Sequence, residues 1–265
     1  MKFLLSITLS ALCYIQAVAQ NLPENIYTFD EKGEIVVNNK FIDTHIERND
    51  STVKPYTLIG QTTFEANSEK YELHVLNYKG WEEDGGDFRI IRLFHKGNQI
   101  LEFIDEESWI GNPLIKDEKT WIGGPLRNIN IGGRHFSQFE DSVSRHATYT
   151  GHCLIYPLKN ESTVLLFDGF SWSSQVPLLT IILIKGNKAE VVFNQSWGIE
   201  IFKAKEAGFD LTLIANFPVY EDDDNIPDIW YPNFHRLYTT PDGSMKIEKS
   251  DLDWKEYVTK NNPKH

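Results

Sequence analysis

A short acidic segment near the end of the chain has the composition of a cation-binding loop. It spans residues 220–228, and Asp222, Asp224, Asn225 and Asp228 follow one another within it at short, partly alternating intervals. Such spacing lets a tight loop direct several hard oxygen atoms at one ion, which is the coordination that Ca²⁺ prefers. The sequence therefore predicts a calcium site at these four residues, and the ion would rigidify the loop rather than perform chemistry. The alternative interpretation is a solvated acidic turn.

The same segment resembles the calcium loop of FG-GAP and VCBS-type β-propeller repeats, in which alternating acidic residues lead into an apolar strand. The resemblance implies a propeller fold with a structural calcium ion. The pattern of that family has Asp where Tyr220 stands and Gly where Asn225 stands, and Asn accepts the left-handed backbone that Gly provides. A corresponding acidic loop covers residues 81–87, whereas the corresponding loop at 173–177 carries no carboxylate.

Side chains that could support catalysis are few. The sequence contains no Gly-x-Ser-x-Gly, His-Glu-x-x-His, Walker or Gly-x-Gly-x-x-Gly motif. Residues 132–141 combine two glycines with Arg134, His135 and two carboxylates, and His146 and His152 follow, so an acid–base or anion site is one interpretation. The histidine spacing fits neither a helix face nor a hairpin pair, and we expect surface residues on a long connection and a short helix. No catalytic or cofactor-binding residue is predicted.

The first twenty residues predict an exported protein. Lys2 precedes an apolar stretch from Phe3 to about Ala17, and the small-x-small pattern at residues 17–19 predicts cleavage between Ala19 and Gln20. Cys13 lacks the preceding small residue that lipoprotein processing needs, so no lipid anchor is expected. Removal of residues 1–19 leaves 246 residues with a formal charge of −13. We therefore expect a soluble protein of the periplasm or the extracellular space.

Composition excludes several classes of protein. The chain has 7 Trp, 11 Tyr and 16 Phe but only 2 Met and 2 Cys, and its net charge is −12. A nucleic-acid-binding role is excluded because phosphate affinity needs clustered Lys and Arg. Only Cys153 remains after processing, so no intramolecular disulfide can form, and this Cys is expected to be a small buried hydrophobe. The longest later apolar run, residues 176–184, is too short to span a membrane.

Period-two alternation and short apolar runs between Gly, Asn and Asp predict a single, mostly-β domain over residues 20–265. Two short helices are expected, one from Ser137 to about Arg145 and a C-terminal one that begins at Ser250. The predicted strands cover residues 25–29, 34–38, 56–64, 71–78, 88–94, 99–104, 148–156, 163–167, 178–184, 189–193, 210–217, 235–239 and 244–249.

Internal repetition indicates a β-propeller-like architecture. The hairpin turns at residues 96–98 and 185–187 both read Lys-Gly-Asn, and each is followed by a Ser-Trp pair, at 108–109 and 196–197. With further Gly turns, these predict repeated antiparallel hairpin units of about 50 residues and four strands each, as in propeller blades. A β-sandwich or a two-lobed barrel is the alternative. The repeated Trp residues are expected to pack between units.

These observations favour a non-catalytic, monomeric binding module for an unknown protein or glycan ligand, with a calcium loop. One alternative is a hydrolase of carbohydrate or cell-envelope polymer, which needs two carboxylates in an aromatic-lined cleft. A second is an acidic inhibitor or immunity-type protein that covers a basic cleft with one acidic face.

Overall fold

The computed structural model describes residues 22–43, 56–79, 88–110, 127–131, 134–137, 148–150, 153–171, 177–204, 211–220 and 230–251. These residues form an all-β protein with one 3₁₀ turn at Asn39–Phe41. The strands, in chain order, are β1 (Glu24–Phe29), β2 (Ile35–Val37), β3 (Tyr56–Ala66), β4 (Glu69–Tyr78), β5 (Phe88–His95), β6 (Asn98–Ile110), β7 (Arg127–Ile131), β8 (Arg134–Ser137), β9 (Thr148–Thr150), β10 (Cys153–Pro157), β11 (Ser162–Ser171), β12 (Pro177–Lys185), β13 (Lys188–Gln195), β14 (Gly198–Ala204), β15 (Leu211–Tyr220), β16 (Trp230–Thr239) and β17 (Met245–Lys249).

The predicted strands all coincide with observed ones, and the segment predicted as one strand at 148–156 contains two, β9 and β10. Strands β7, β8 and β14 were not predicted. Ser137, the expected N-cap of a helix, is instead the last residue of β8, because the segment from Arg134 pairs with β7. The rest of that helix and the body of the C-terminal helix lie outside the described residues. No helix in the part of the chain that the structure describes is long and apolar enough to cross a membrane.

The strands in the described part of the chain form three antiparallel sheets, and none of these closes on itself. Two sheets are large, with six and nine strands, and β7 pairs with β8 in a third. The six-stranded sheet has the order β14-β15-β16-β17-β1-β2, and the nine-stranded sheet has β13-β12-β11-β6-β5-β4-β3 with β10 and β9 beside β11. The pairing therefore extends well beyond four-stranded units.

The nine-stranded sheet consists of two halves joined at one corner. Strands β6 and β11 pair only where Ile110 meets Phe170 and Trp109 meets Ser171. We call β3–β6 the front half and β9–β13 the central half. Away from this corner the two halves separate, and side chains from both contribute to one apolar core.

The central half is buried on both faces. In β11, Val164 and Leu166 belong to a core shared with the six-stranded sheet, whereas Leu165 and Phe167 belong to the core shared with the front half. Strand β12 alternates in the same way, and every side chain of residues 178–184 is buried. Continuous apolar runs are typical of strands covered on both sides, so this arrangement explains why β11 and β12 lack the usual polar alternation.

Six hairpin turns meet at one end of the molecule, which we call the turn end. They lie at residues 30–34, 67–68, 96–97, 158–161, 186–187 and 240–244. Hydrogen bonds connect turns of different layers: the Asn67 side chain donates to the carbonyl of Glu161 at 2.6 Å. The Asn160 side chain likewise donates to the carbonyl of Asp242 at 3.2 Å. These two hydrogen bonds connect the turns of the nine-stranded sheet to each other and to a turn of the six-stranded sheet.

The opposite strand ends form the loop end. The connections of residues 80–87, 172–176 and 221–229 leave from it, and the strands that they join are paired neighbours. In the nine-stranded sheet, Trp109 pairs with Phe88 on one side and with Ser171 on the other. The first two connections therefore begin or end beside each other.

Candidate ligand groove between two strand edges

The two Lys-Gly-Asn turns are both two-residue hairpin loops, but they use different residues. Lys96 and Gly97 form the first loop, and both have left-handed backbone angles, with φ of 50° and 80°. Gly186 and Asn187 form the second loop, and there only the Gly has positive φ, 59°. These patterns are those of type I′ and type II′ turns respectively. The triplets are therefore shifted by one residue relative to each other.

A groove of about 760 Å³ lies between these two turns and β2. Its volume falls in the range of small-molecule and peptide sites. Side chains or backbone from the front half, the central half and the six-stranded sheet line it, namely Glu34, Ile35, His95, Lys96, Asn98, Gln99, Ile100, Asn187, Lys188, Ala189 and Glu190.

Two strand edges border the groove. Strand β6 pairs with β5 along one edge, and its other edge meets β11 only at Trp109 and Ile110, far from the groove. Strand β13 ends the nine-stranded sheet, and its outer edge has one bridge in the described chain, between Asn194 and Ile42. Residues 98–100 and 188–190 thus have no strand partner on the groove side among the described residues.

A buried polar cluster connects β6 to β13 at residues that lie farther along these strands than those lining the groove. The side-chain amide of Asn194 donates to the carboxylate of Asp105 at 2.8 Å, and both residues are 1% exposed. The Thr180 hydroxyl donates to the Asn194 side-chain oxygen at 2.6 Å, and the backbone N–H of Asp43 donates to the Asn194 carbonyl at 2.8 Å. This cluster fastens β6 to β13, so we call it the clasp.

Asp105 occupies an irregular part of β6. Ile104 pairs with Ile90 and Trp109 pairs with Phe88, so β6 has several more residues than β5 between these two pairs. Such bulges re-aim side chains away from the regular pleat. The bulge thus begins at Asp105, whose carboxylate accepts the hydrogen bond from Asn194.

Most of the charges around the groove are neutralised locally. Lys188 pairs with Glu34, and Lys96 donates to Glu69 at 3.1 Å. Hydrogen bonds from Lys96, and secondarily from His95, hold the pKa of Glu69 below its usual range. Glu190 is exposed, and its side chain has no ion pair or hydrogen bond to any other residue that the structure describes.

His95 connects the groove to the neighbouring hairpin through Tyr71. The two rings are stacked with centroids 4.7 Å apart, and the Tyr71 hydroxyl donates to the carbonyl of Gly186 at 2.9 Å. Burial, and secondarily the charge of Glu69, raise the pKa of Tyr71. The neutral phenol therefore remains a donor and holds the second turn beside the first.

None of the described groove residues belongs to the predicted calcium set. Asp222, Asp224, Asn225 and Asp228 lie outside the described residues, and the strand ends on either side, Tyr220 and Trp230, pair with each other. Within the described ranges no three or more His, Cys, Asp or Glu side chains form a group that could hold a metal ion.

Other sequence predictions have mixed outcomes. Cys153 is fully buried, as expected. Arg134 and His135, expected on a long connection, belong to β8, and His146 and His152 lie outside the described residues. Sequence reasoning missed the groove, although the two Lys-Gly-Asn turns that border it were its most visible local signal.

No family model, curated protein or solved structure matches the chain. The groove, its charges and its strand edges are therefore the features that bear on function. These features come from three layers of the fold, so they are a property of the assembled protein and not of any one hairpin.

Proposed function

We propose that the chain is an exported binding module that takes its ligand in the groove at the turn end. The observation that carries this proposal is a cavity of about 760 Å³ bordered by two strand edges. Concave sites of this size with a few polar groups are typical ligand sites. Export after cleavage between Ala19 and Gln20, and a monomeric state, belong to the same proposal.

Binding is favoured over hydrolysis by the groove's lining. Among the residues that the structure describes, the lining contains no Phe, Tyr or Trp, whereas sugar-cleaving clefts use aromatic platforms and two free carboxylates. Glu34 is already paired with Lys188. Turnover of a glycan by the purified protein, lost on substitution of a groove carboxylate, would replace this proposal by the hydrolase.

The test is amide chemical-shift mapping with a panel of peptides and oligosaccharides. We expect a ligand to shift the amide signals of residues 98–100 and 188–190, and we expect Gln99→Trp to block the groove and abolish these shifts. Gln61→Trp is the matched control, because Gln61 is exposed on β3 and does not line the groove. Binding that shifts signals elsewhere and survives Gln99→Trp would contradict the proposal.

A structural calcium ion at Asp222, Asp224, Asn225 and Asp228 is a further part of the proposal, in keeping with the resemblance to FG-GAP and VCBS-type repeats. Support comes from the pairing of Tyr220 with Trp230, which makes the nine residues between them one hairpin connection. Calcium at 100 times its dissociation constant should stabilise the protein by about 2.7 kcal/mol. Melting curves that are identical with calcium and with a chelator would remove this site.

Among the architectures that the sequence left open, we favour layered sheets, as in a β-sandwich, over a propeller. The support is the burial of β11 and β12 on both faces, between one core shared with the front half and another shared with the six-stranded sheet. Propeller blades of four strands do not account for a nine-stranded sheet.

An acidic inhibitor or immunity-type protein is the second candidate. Its support is the loop end, from which the connections of residues 80–87 and 221–229 both leave. These two segments contain nine carboxylates and no Lys or Arg. This candidate requires association with a basic protein that weakens with salt and with Asp-to-Asn changes in both segments, while Gln99→Trp has no effect.

A further inference from the structure

We propose that the groove binds an extended, basic peptide segment of a partner protein, and that Glu190 receives the cationic side chain of that segment. This inference rests on the proposed function, because it assumes that the groove is the ligand site. It adds the chemical class of the ligand and the residue that selects it.

The extended conformation follows from the strand edges. Three consecutive residues of β6, 98–100, and three consecutive residues of β13, 188–190, line the groove. Successive side chains of a strand point to opposite faces, so a groove that touches consecutive residues runs along the strand's edge and faces its backbone. An edge with unpaired N–H and C=O groups is the surface to which an extended peptide adds as a new strand.

The length of the segment is limited by the clasp. Asn194 on β13 bonds to Asp105 and bridges to Ile42, so no added strand can pass this residue. The edge that lines the groove runs from Lys188 to Glu190, and Val192 and Phe193 farther along β13 are fully buried. It therefore accommodates about three residues, or about 10 Å of extended chain.

The basic character of the bound peptide follows from the one carboxylate of the lining that has no partner among the described residues. Lys188 and Lys96 are paired with Glu34 and Glu69, which leaves Glu190 as a lining carboxylate that has no partner in the described parts of the chain. An overall charge of −12 adds a long-range attraction for cations.

The apolar lining selects a peptide side chain over a small inorganic cation. Ile35 and Ile100 line the same groove and are partly buried. The aliphatic stems of Lys and Arg cover apolar surface while their charged ends remain at a carboxylate. Asn98, Gln99 and Asn187 supply amide donors and acceptors for the peptide backbone.

The probe is a displayed library of random heptapeptides, selected on the purified wild-type protein at 0.15 M salt and counter-selected on Gln99→Trp. We expect the selected peptides to be enriched in Lys and Arg at alternating positions. Their dissociation constants, measured by fluorescence anisotropy, should rise about tenfold on Glu190→Gln, as expected for loss of one charge-assisted contact. Glu65→Gln is the matched control, because it changes net charge equally at an exposed residue of β3 outside the groove.

Equal weakening by Glu190→Gln and Glu65→Gln would show nonspecific attraction and overturn the inference. Selection of acidic or neutral peptides, or of none, would also overturn it. If the groove binds no basic peptide but an oligosaccharide shifts the amide signals of the groove residues, and Gln99→Trp abolishes these shifts, the inference fails and the proposed function stands. If no ligand of any class acts at the groove, both fail.

Discussion

The side-chain amide of Asn194 donates to the carboxylate of Asp105 at 2.8 Å, and this bond connects strands that pair nowhere along their lengths. Asn194 lies on β13 and Asp105 on β6, at opposite margins of the gap between the central and front halves. A buried carboxylate is costly unless hydrogen bonds satisfy it. The clasp therefore fixes how far the two strand edges separate.

Removal of the amide should destabilise the protein. We expect Asn194→Ala to lower the free energy of unfolding by about 1–3 kcal/mol, because a buried charged group loses one of its hydrogen bonds. Urea denaturation measures this change. Gln61→Ala, at an exposed position of β3, is the control and should change the free energy by less than about 0.5 kcal/mol. Equal effects of the two variants would show that the clasp does not stabilise the fold.

Because the central half is buried on both faces, we expect truncation of either of two neighbouring side chains of β12 to lower the free energy of unfolding by a similar amount. We expect Ile182→Ala and Leu183→Ala each to cost about 2–5 kcal/mol, because their side chains lie in different cores. Strand β3 provides the comparison: Phe64 is buried and Thr63 exposed, so Phe64→Ala should cost about 3–5 kcal/mol and Thr63→Ala almost nothing. A small effect of either β12 variant in urea denaturation would contradict burial on that face.

The shifted turns predict different roles for residues of the two Lys-Gly-Asn triplets. Gly97→Ala should cost about 1–2 kcal/mol, because φ is 80° there. An added Cβ would contact no atom within 4 Å, so this cost comes from the backbone alone. Asn187→Ala should cost at most about 0.5 kcal/mol, since Asn187 has no left-handed backbone to maintain. Thermal unfolding of both variants tests the assignment, and a reversed order would show that the turns are misassigned.

Alkaline pH should weaken the fold through Tyr27. Its ring is fully buried and its hydroxyl donates to the carbonyl of Gly243 at 3.0 Å. Burial, and secondarily the charge of Asp242, raise its pKa far above the ordinary value. Because the unfolded chain releases this proton near pH 10 and the folded chain retains it, stability is full below pH 10 and falls as the pH rises further.

Urea denaturation between pH 8 and 11 measures this loss. Tyr27→Phe should show a shallower decline above pH 10 than the wild type, and Tyr56→Phe, at an exposed ring, should decline like the wild type. Identical slopes for all three proteins would mean that Tyr27 does not contribute.

Acidic pH should weaken the fold through Glu69. Its pKa is lowered by hydrogen bonds from Lys96 and His95, so its stabilising contribution is present above the ordinary carboxyl pKa and is lost as the pH falls through the lower, folded value. We expect Glu69→Gln to lose less stability than the wild type between pH 5 and 3. Glu65→Gln, on the same hairpin but without such partners, should follow the wild-type curve.

The sequence predicted the strands well because period-two alternation is a local property. It missed β14, whose Ile-Glu-Ile-Phe alternation at residues 199–202 is short and is followed by helix-favouring residues. It also missed β7 and β8, which precede and follow the glycine pair at residues 132–133. Trp197, expected to pack between units, is buried against Phe193 with ring centroids 5.4 Å apart.

Strand order and the groove could not be predicted, because both depend on residues far apart in the chain. The bond between Asp105 and Asn194 spans 89 positions. The groove requires Glu34, Gln99 and Lys188 to meet, and no spacing rule connects them. The repeated Lys-Gly-Asn triplet indicated two hairpins. Only the backbone angles show that the loop residues are Lys and Gly in the first hairpin but Gly and Asn in the second.

The pairing of β1 with β17 has a consequence for folding during synthesis. Tyr27 bonds to Gly243 across 216 positions, so the N-terminal hairpin cannot join its sheet until the chain has been synthesised through β17. Contacts of such long range make folding slow, because the entropy of closing a large loop is lost before the contact forms. The first two strands are therefore an isolated hairpin until β17 is available, and β17 joins them to the rest of the six-stranded sheet.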